Sequence, residues 1–227
     1  MIQAIRPNKI LKLLKLKKLN NNLSLKIPDG EIGSTTILEK VMLVAFSRLI
    51  KSKTIFEFGT YKGETTELFL INNLCKNLIS IDLPILVKQK ELSSLNLLND
   101  LQNDKFLSVN RSYVTEKKLK LLSKRNLIRL NLIKIDSRIF KPKNLEKNVD
   151  LVFIDGGHSY QIIDNDTQIA FKLLRNKGDG IIFWHDYDSK IHSKVTLYLN
   201  KLSLKKKLFR IGDTSLVFFT KKQFLKN

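Results

Sequence analysis

Two carboxylates and two imidazoles carry the strongest chemical signal in the chain. Asp155 closes the run LVFID and Asp186 closes GIIFWHD, while His158 follows Asp155 by three residues in a glycine-softened loop and His185 directly precedes Asp186. Both runs are uninterrupted and rich in β-branched and aromatic residues, as expected of strands covered on both faces. If these strands are parallel, their ends share one edge of the sheet, where open α/β folds bind ligands. Four titratable groups on one rim exceed what a buried structural role requires. An imidazole titrates near neutrality, so His158 is a candidate general base. A loop histidine satisfied by its own hydrogen bonds is the competing reading.

A second set of polar strand ends lies earlier. In TIFEFGTYKGETT, Gly59 lets the backbone leave a short strand sharply and Gly63 lets a helix follow closely. The spacing G-x-x-x-G lacks the three-glycine fingerprint that seats a pyrophosphate, which argues against a dinucleotide. Glu57 argues the same way, since a carboxylate repels a diphosphate but can accept from an ammonium group. Asp82 ends the next strand, LISID, and a carboxylate there can accept from both hydroxyls of a ribose. Asp136 with Ser137 forms a third polar strand end, where an adenine could be held or a turn begun.

Strands alternating with helical segments must position these residues. Thr35 or Thr36 can cap a helix in which Ile37, Val41, Val44, Ala45, Arg48 and Leu49 recur at spacings of three and four. Pro84 stops the strand that ends at Asp82. Residues 88 to 101 read as a helix, FLSVN as a short strand, KKLKLLSKRNLIRL as a helix and NLIKID as a strand. A helix over 160 to 174, a turn at Gly178 and Gly180, and strand IIFWH follow. LFRIGDTSLVFFTKK reads as two strands about Gly212 and Asp213. This alternation predicts a mainly parallel sheet with helices on both faces and a C-terminal antiparallel hairpin.

At 227 residues the chain can bury one substantial core. Residues 1–35 read as a basic arm and loop, and 36–227 as a single domain. The 41 Lys and Arg against 21 Asp and Glu give a formal charge of +20, which could favour a polyanion or an anionic membrane. Lysines are spread through most surface-like segments without an arginine track, so specific nucleic-acid recognition is not expected. Residues 9–20 could form a helix on a membrane surface, on the domain or on a partner. No apolar run is long enough to span a membrane and no export signal is evident, so a cytoplasmic location is expected. Cys75 is the single cysteine, which excludes an internal disulfide and a thiolate metal site. It reads as a small core residue. Trp184 also reads as core, Tyr160 as packing at a helix start, Asp164 as helix-start charge, and His192 as surface.

IFEFGTYKGETT, SID, KIDS and LVFIDGGHSY together resemble the successive binding motifs of class I S-adenosylmethionine-dependent methyltransferases, over roughly residues 30 to 220. FIDGGHSY followed by a helix, a glycine turn and FWHDY resembles a family of small-molecule O-methyltransferases whose members often occur in sugar, antibiotic and cell-surface glycan gene clusters. The resemblance implies an α/β, Rossmann-like, mainly parallel seven-stranded sheet. It further implies S-adenosylmethionine held by Glu57, Gly59, Thr60, Tyr61, Gly63, Asp82, Asp136, Ser137 and Asp155, with Glu57 to Gly63 at its methionine part. Phe58, Thr60 and the KGDG turn at 177–180 depart from the commoner pattern.

Catechol-type O-methyltransferases offer a comparison, and by it Asp155, His185 and Asp186 would hold a divalent cation, Mg²⁺, Mn²⁺ or Ca²⁺, beside His158. An imidazole ligand suits Mg²⁺ less well than the others. Catalysis without a metal, using His158 or His185 as base, stands beside that reading. The implied acceptor is a sugar-like or other small hydroxyl compound, such as a glycan precursor. A nucleic-acid methyltransferase and a non-catalytic binding protein that retains the fold are the alternatives. Assembly as a homo-oligomer is left open.

Overall fold

Uninterrupted apolar strands need cover on both faces, and the computed structural model supplies it with helices on each side of one sheet. Residues 2–16, 25–28, 34–72, 74–84, 119, 121–176 and 180–221 are described. In chain order the elements are β1 (Gln3–Ile5), α1 (Pro7–Leu16), α2 (Ile37–Ile50), β2 (Thr54–Phe58), α3 (Glu64–Ile71), β3 (Asn77–Asp82), α4 (Lys124–Leu127), β4 (Leu130–Lys134), β5 (Leu151–Ile154), α5 (Tyr160–Leu173), β6 (Ile181–Trp184), α6 (Ser193–Ser203), β7 (Phe209–Ile211) and β8 (Val217–Thr220). The strand order is β1-β7-β8-β6-β5-β2-β3-β4. Strands β4, β3, β2, β5 and β6 are parallel neighbours, and β8 runs antiparallel to both β6 and β7.

The α/β class, the parallel centre and the C-terminal hairpin are those anticipated. The eighth strand is an addition: residues 3–5 of the basic arm pair in parallel with β7. Ile10 of α1 is fully buried in the core that α2 and α3 form against one face of the sheet. The opposite face is covered by α5 and α6, with Phe56, Phe58, Val152, Ile182 and Trp184 facing them. Alternation along a strand thus divides β5: Leu151 and Phe153 enter one core, Val152 and Ile154 the other.

Helix α2 is buried more broadly than a single stripe allows. Met42, Leu43, Val44, Ala45 and Phe46 are all sealed from solvent, whereas Ile37 is 65% exposed. The cause is α1, which packs against α2 and covers its outer side. Phe46 meets Phe183 at 5.2 Å and Phe218 at 4.8 Å, which fixes α2 over β6 and β8. Thr36 caps α2 in a reciprocal box with Glu39. Ser159 caps α5 by accepting from the Ile162 amide at 3.3 Å. Of the segment read as one helix over 117–130, residues 117, 118 and 120 lie outside the described residues, and the part from Lys124 holds the four-residue helix α4 and then enters β4. The expected helix over 88–101 and strand at FLSVN lie outside the described residues, as do residues 177–179 of the KGDG turn. Among the described residues, no helix is long and apolar enough to cross a membrane.

Candidate active site

Five parallel strands end on one edge, and each delivers a polar or glycine residue there. Across the sheet these are His185 after β6, Asp155 after β5, Gly59 after β2, Asp82 at the end of β3, and Asp136 beyond β4. Gly59 has φ 88°, and a Cβ built on it would lie 2.0 Å from the carbonyl oxygen of Asp155. Only glycine permits that approach, which presses the turn after β2 against the end of β5. Tyr61, at φ 46°, donates its amide to Asp82 Oδ2 at 3.1 Å, and the Leu83 amide donates to Oδ1 at 2.9 Å. These bonds fix the Asp82 carboxylate at the end of β3. Thr60 is buried, its hydroxyl 2.7 Å from that of Ser80, and Gly63, at φ 80°, is the N-cap of α3.

Glu57 lies beneath this turn, completely buried. Its Oε2 accepts from the Ser80 hydroxyl at 2.6 Å and from the Thr66 hydroxyl. Its Oε1 has no hydrogen-bond partner among the described residues, and burial pushes the carboxyl up to about 7. A buried acceptor without a donor fits a cationic ligand group. Asp136 is gripped by the Arg138 guanidinium, with two contacts of 3.0 Å, and that hydrogen bonding holds its carboxyl below the usual range. Ser137 hydrogen-bonds to Asp166, whose carboxyl is pushed up to about 6 by burial.

Asp155, His158, His185 and Asp186 meet in one cluster. Asp186 divides its oxygens: Oδ2 is 3.0 Å from His158 Nε2, and Oδ1 is 3.3 Å from His185 Nδ1. Asp155 Oδ1 is 3.2 Å from the same Nδ1. The φ of Asp186 is 61°, a left-handed conformation that aspartate tolerates better than most residues. Burial opposes charge on His185, but Asp155 foremost, then Asp186 and Glu39, outweigh it and raise the imidazole well above its ordinary value. Burial likewise opposes ionisation of Asp186, yet His158 and His185 hold it well below the carboxylate range.

Two residues that the sequence did not place in this cluster join it. Glu39 Oε2 is 3.3 Å from His185 Nε2, and burial of Glu39 is outweighed chiefly by that imidazole, so its carboxyl also falls. His192, expected at the surface, is instead 7% exposed and stacks on His158 with ring centroids 3.6 Å apart. Its polar neighbours conceal this, because what buries it is the return of the chain after β6. Trp184 is core, donating from Nε1 to Thr167 at 2.9 Å. Tyr160 packs edge-on against Tyr198, and Asp164 accepts from the Tyr198 hydroxyl at 3.0 Å. Cys75 is buried, its thiol pushed up to about 12, which leaves no nucleophile.

Asp155, His185 and Asp186 also offer ligand atoms grouped closely enough for one metal ion. His185 Nδ1 is buried, and although both carboxylates are near, it has no well-directed hydrogen bond among the described residues. Separations of 3.2 and 3.3 Å match the ligand-to-ligand spacing around a cation bound at about 2.1 Å. One imidazole nitrogen and two carboxylate oxygens admit Mn²⁺ among several divalent ions. A second group, His158, Asp186 and His192, is similarly close. Its two rings are only 15° from parallel, and a cation bonds in the plane of an imidazole, so stacked rings do not converge on one ion.

A family model described as a methyltransferase domain matches residues 56–187. An uncharacterized protein of Acanthamoeba polyphaga mimivirus is 29% identical over 150 residues, which make up 66% of this chain and 58% of that protein. The chain therefore spans less than two thirds of this relative's length. Among solved structures, the SAH-bound Podospora anserina methyltransferase has a TM-score of 0.54 at 14% identity, covering 96% of this chain and 88% of that one. A candidate caffeoyl-CoA O-methyltransferase from Staphylococcus aureus has a TM-score of 0.54 at 13% identity, covering 94% and 90%. At these identities the likeness is one of fold, the class I S-adenosylmethionine-dependent methyltransferase fold.

Proposed function

The chain belongs to the methyltransferase-domain family matched over residues 56–187, and on that premise we propose that it transfers a methyl group from S-adenosylmethionine to a hydroxyl of a sugar-like or other small acceptor. The observation that carries this reading is the shared edge, where the turn at Gly59 is pressed onto Asp155 and so joins the Asp82 side of the edge to the histidine cluster. When bound, S-adenosylmethionine supplies an electrophilic sulfonium methyl, and a divalent ion supplies a Lewis acid for the acceptor oxygen. Asp82 would accept from the ribose hydroxyls, Glu57, buried beneath the turn, would supply negative charge near the ammonium end, and Asp136 with Ser137 would border the adenine. Thr60, Tyr61 and Gly63 shape the turn between them.

His158 takes the acceptor proton. A carboxylate can only accept, so with Asp186 ionised His158 Nε2 donates to it, and the lone pair that takes the proton would be on Nδ1. Once that proton arrives, Asp186 stabilises the imidazolium. Asp155, His185 and Asp186 would hold the divalent cation. The remaining contribution is orientation of two substrates for in-line transfer.

Calorimetry with S-adenosylmethionine or its demethylated product tests the first half of the proposal: binding is expected, and binding of NAD instead would overturn it. Asp82→Ala should weaken cofactor binding by about 1–3 kcal/mol through lost hydrogen bonds to the ribose. Methyl transfer to a panel of hydroxyl acceptors tests the second half. Transfer only to nucleic acid would favour the reading that the +20 charge suggests, and binding without transfer to any acceptor would favour a non-catalytic protein.

A further inference from the structure

A metal-binding histidine usually gives its other ring proton to a carboxylate, which fixes the tautomer and aims the ligating nitrogen. Glu39 stands in that position. Its Oε2 is 3.3 Å from His185 Nε2, on the side of the ring opposite the Nδ1 that faces Asp155 and Asp186. It is 3% exposed and is itself held rigidly. The Thr36 amide donates to Oε2 at 2.7 Å, while the Ser215 amide and hydroxyl each donate to Oε1 at 2.8 Å. Helix α2 and the turn before β8 therefore both fix the carboxylate behind His185. The helix cap alone would account for the Thr36 contacts but not for a buried imidazole 146 residues away in sequence.

We infer that Glu39 is a positioning residue of the cation site: it receives the Nε2 proton of His185 and so presents the Nδ1 lone pair between Asp155 and Asp186. This rests on the reading of those three residues as cation ligands. It adds a fourth side chain, from an element the family model does not cover.

Titration of the full chain with Mn²⁺, without cofactor or acceptor, tests the inference. One ion per chain is expected, bound about 10- to 100-fold more weakly by Glu39→Gln. In the His185→Ala background, Glu39→Gln should cause no further loss, since its effect passes through the ring. Equal Mn²⁺ affinity of Glu39→Gln and the parent, or additive losses in the double variant, overturns the role of Glu39. Should Glu39→Gln not fold, imidazole ¹H–¹⁵N spectra of the unsubstituted protein decide. The chain has three histidines, and Zn²⁺ should shift Nδ1 of His185 while Nε2 keeps its proton; a shift at Nε2 instead sinks the inference. If neither ion binds, the inference also falls, while S-adenosylmethionine calorimetry reports separately on the methyltransferase reading.

Discussion

Asp186 serves two histidines with one carboxylate, and its left-handed backbone places the oxygens 3.0 Å from His158 and 3.3 Å from His185. Loss of the base should therefore be felt in the reacting complex rather than in cofactor binding. His158→Ala is expected to lower turnover by about 10² or more while S-adenosylmethionine affinity stays within a few-fold, and Asp155→Asn to lower turnover by a similar factor. Retained turnover in both variants would remove the cluster from the mechanism. Glu57 supplies a pH signature of its own. Its carboxyl is raised to about 7 in the folded protein from an ordinary 4.5, so its contribution to stability is fully present below the unfolded value and is lost as pH rises through 7. Denaturant unfolding between pH 4 and 8 should show a decline on the order of a few kcal/mol, of which Glu57→Gln removes the part above about pH 6 and leaves the part owed to Asp166, raised to about 6. An unchanged profile in that variant would mean that the buried carboxyl is not the titrating group. Asp155, His158, His185 and Asp186 stood out in the sequence because each is at or near the end of an unmistakable strand. Glu39 did not, since Thr36-x-x-Glu39 is complete as a capping box and nothing local points across 146 residues to His185. His192 was hidden for a related reason: SKIHSK looks solvated, and only the stacked ring of His158 shows otherwise.

At the scale of elements, α2 ties the two halves of the edge together. Its first turn carries Glu39 toward His185, and the adjacent Lys40 forms a buried ion pair with Glu64 at the start of α3, the helix that follows the Gly59 turn. The position of α2 depends on Phe46, wedged between Phe183 and Phe218. Phe46→Ala should cost about 3–5 kcal/mol of stability in denaturant unfolding; a loss below about 1 kcal/mol would mean that other contacts set the helix. Strands β2, β3, β5 and β6 could be read from the sequence because two-sided burial leaves continuous apolar runs. Strand β1 could not. Three residues, QAI, carry no period, and their pairing with β7 is a contact between the two ends of the described chain. The buried face of α2 was legible only in part, because the cover that α1 gives to its outer side is a tertiary fact with no trace in the spacing of α2 itself.

On the whole molecule, the charge of +20 competes with the small-acceptor reading. A field of that sign attracts any polyanion, but attraction by spread lysines differs from recognition: it releases counterions in proportion to the phosphates contacted and reads no base. Duplex DNA or tRNA should therefore bind with an affinity that drops on the order of 10³-fold between 50 and 200 mM salt if about six phosphates are neutralised. It should also show no preference among sequences. Filter binding or fluorescence anisotropy across that salt range, with shuffled sequences of one length, measures both quantities. The methylated product measured beside them decides what the charge is for. Salt-steep, indifferent binding without methyl incorporation leaves the histidine cluster to a small hydroxyl acceptor. Binding that resists salt, selects a sequence and ends in a methylated nucleotide would assign the basic surface to the substrate and overturn the small-acceptor reading.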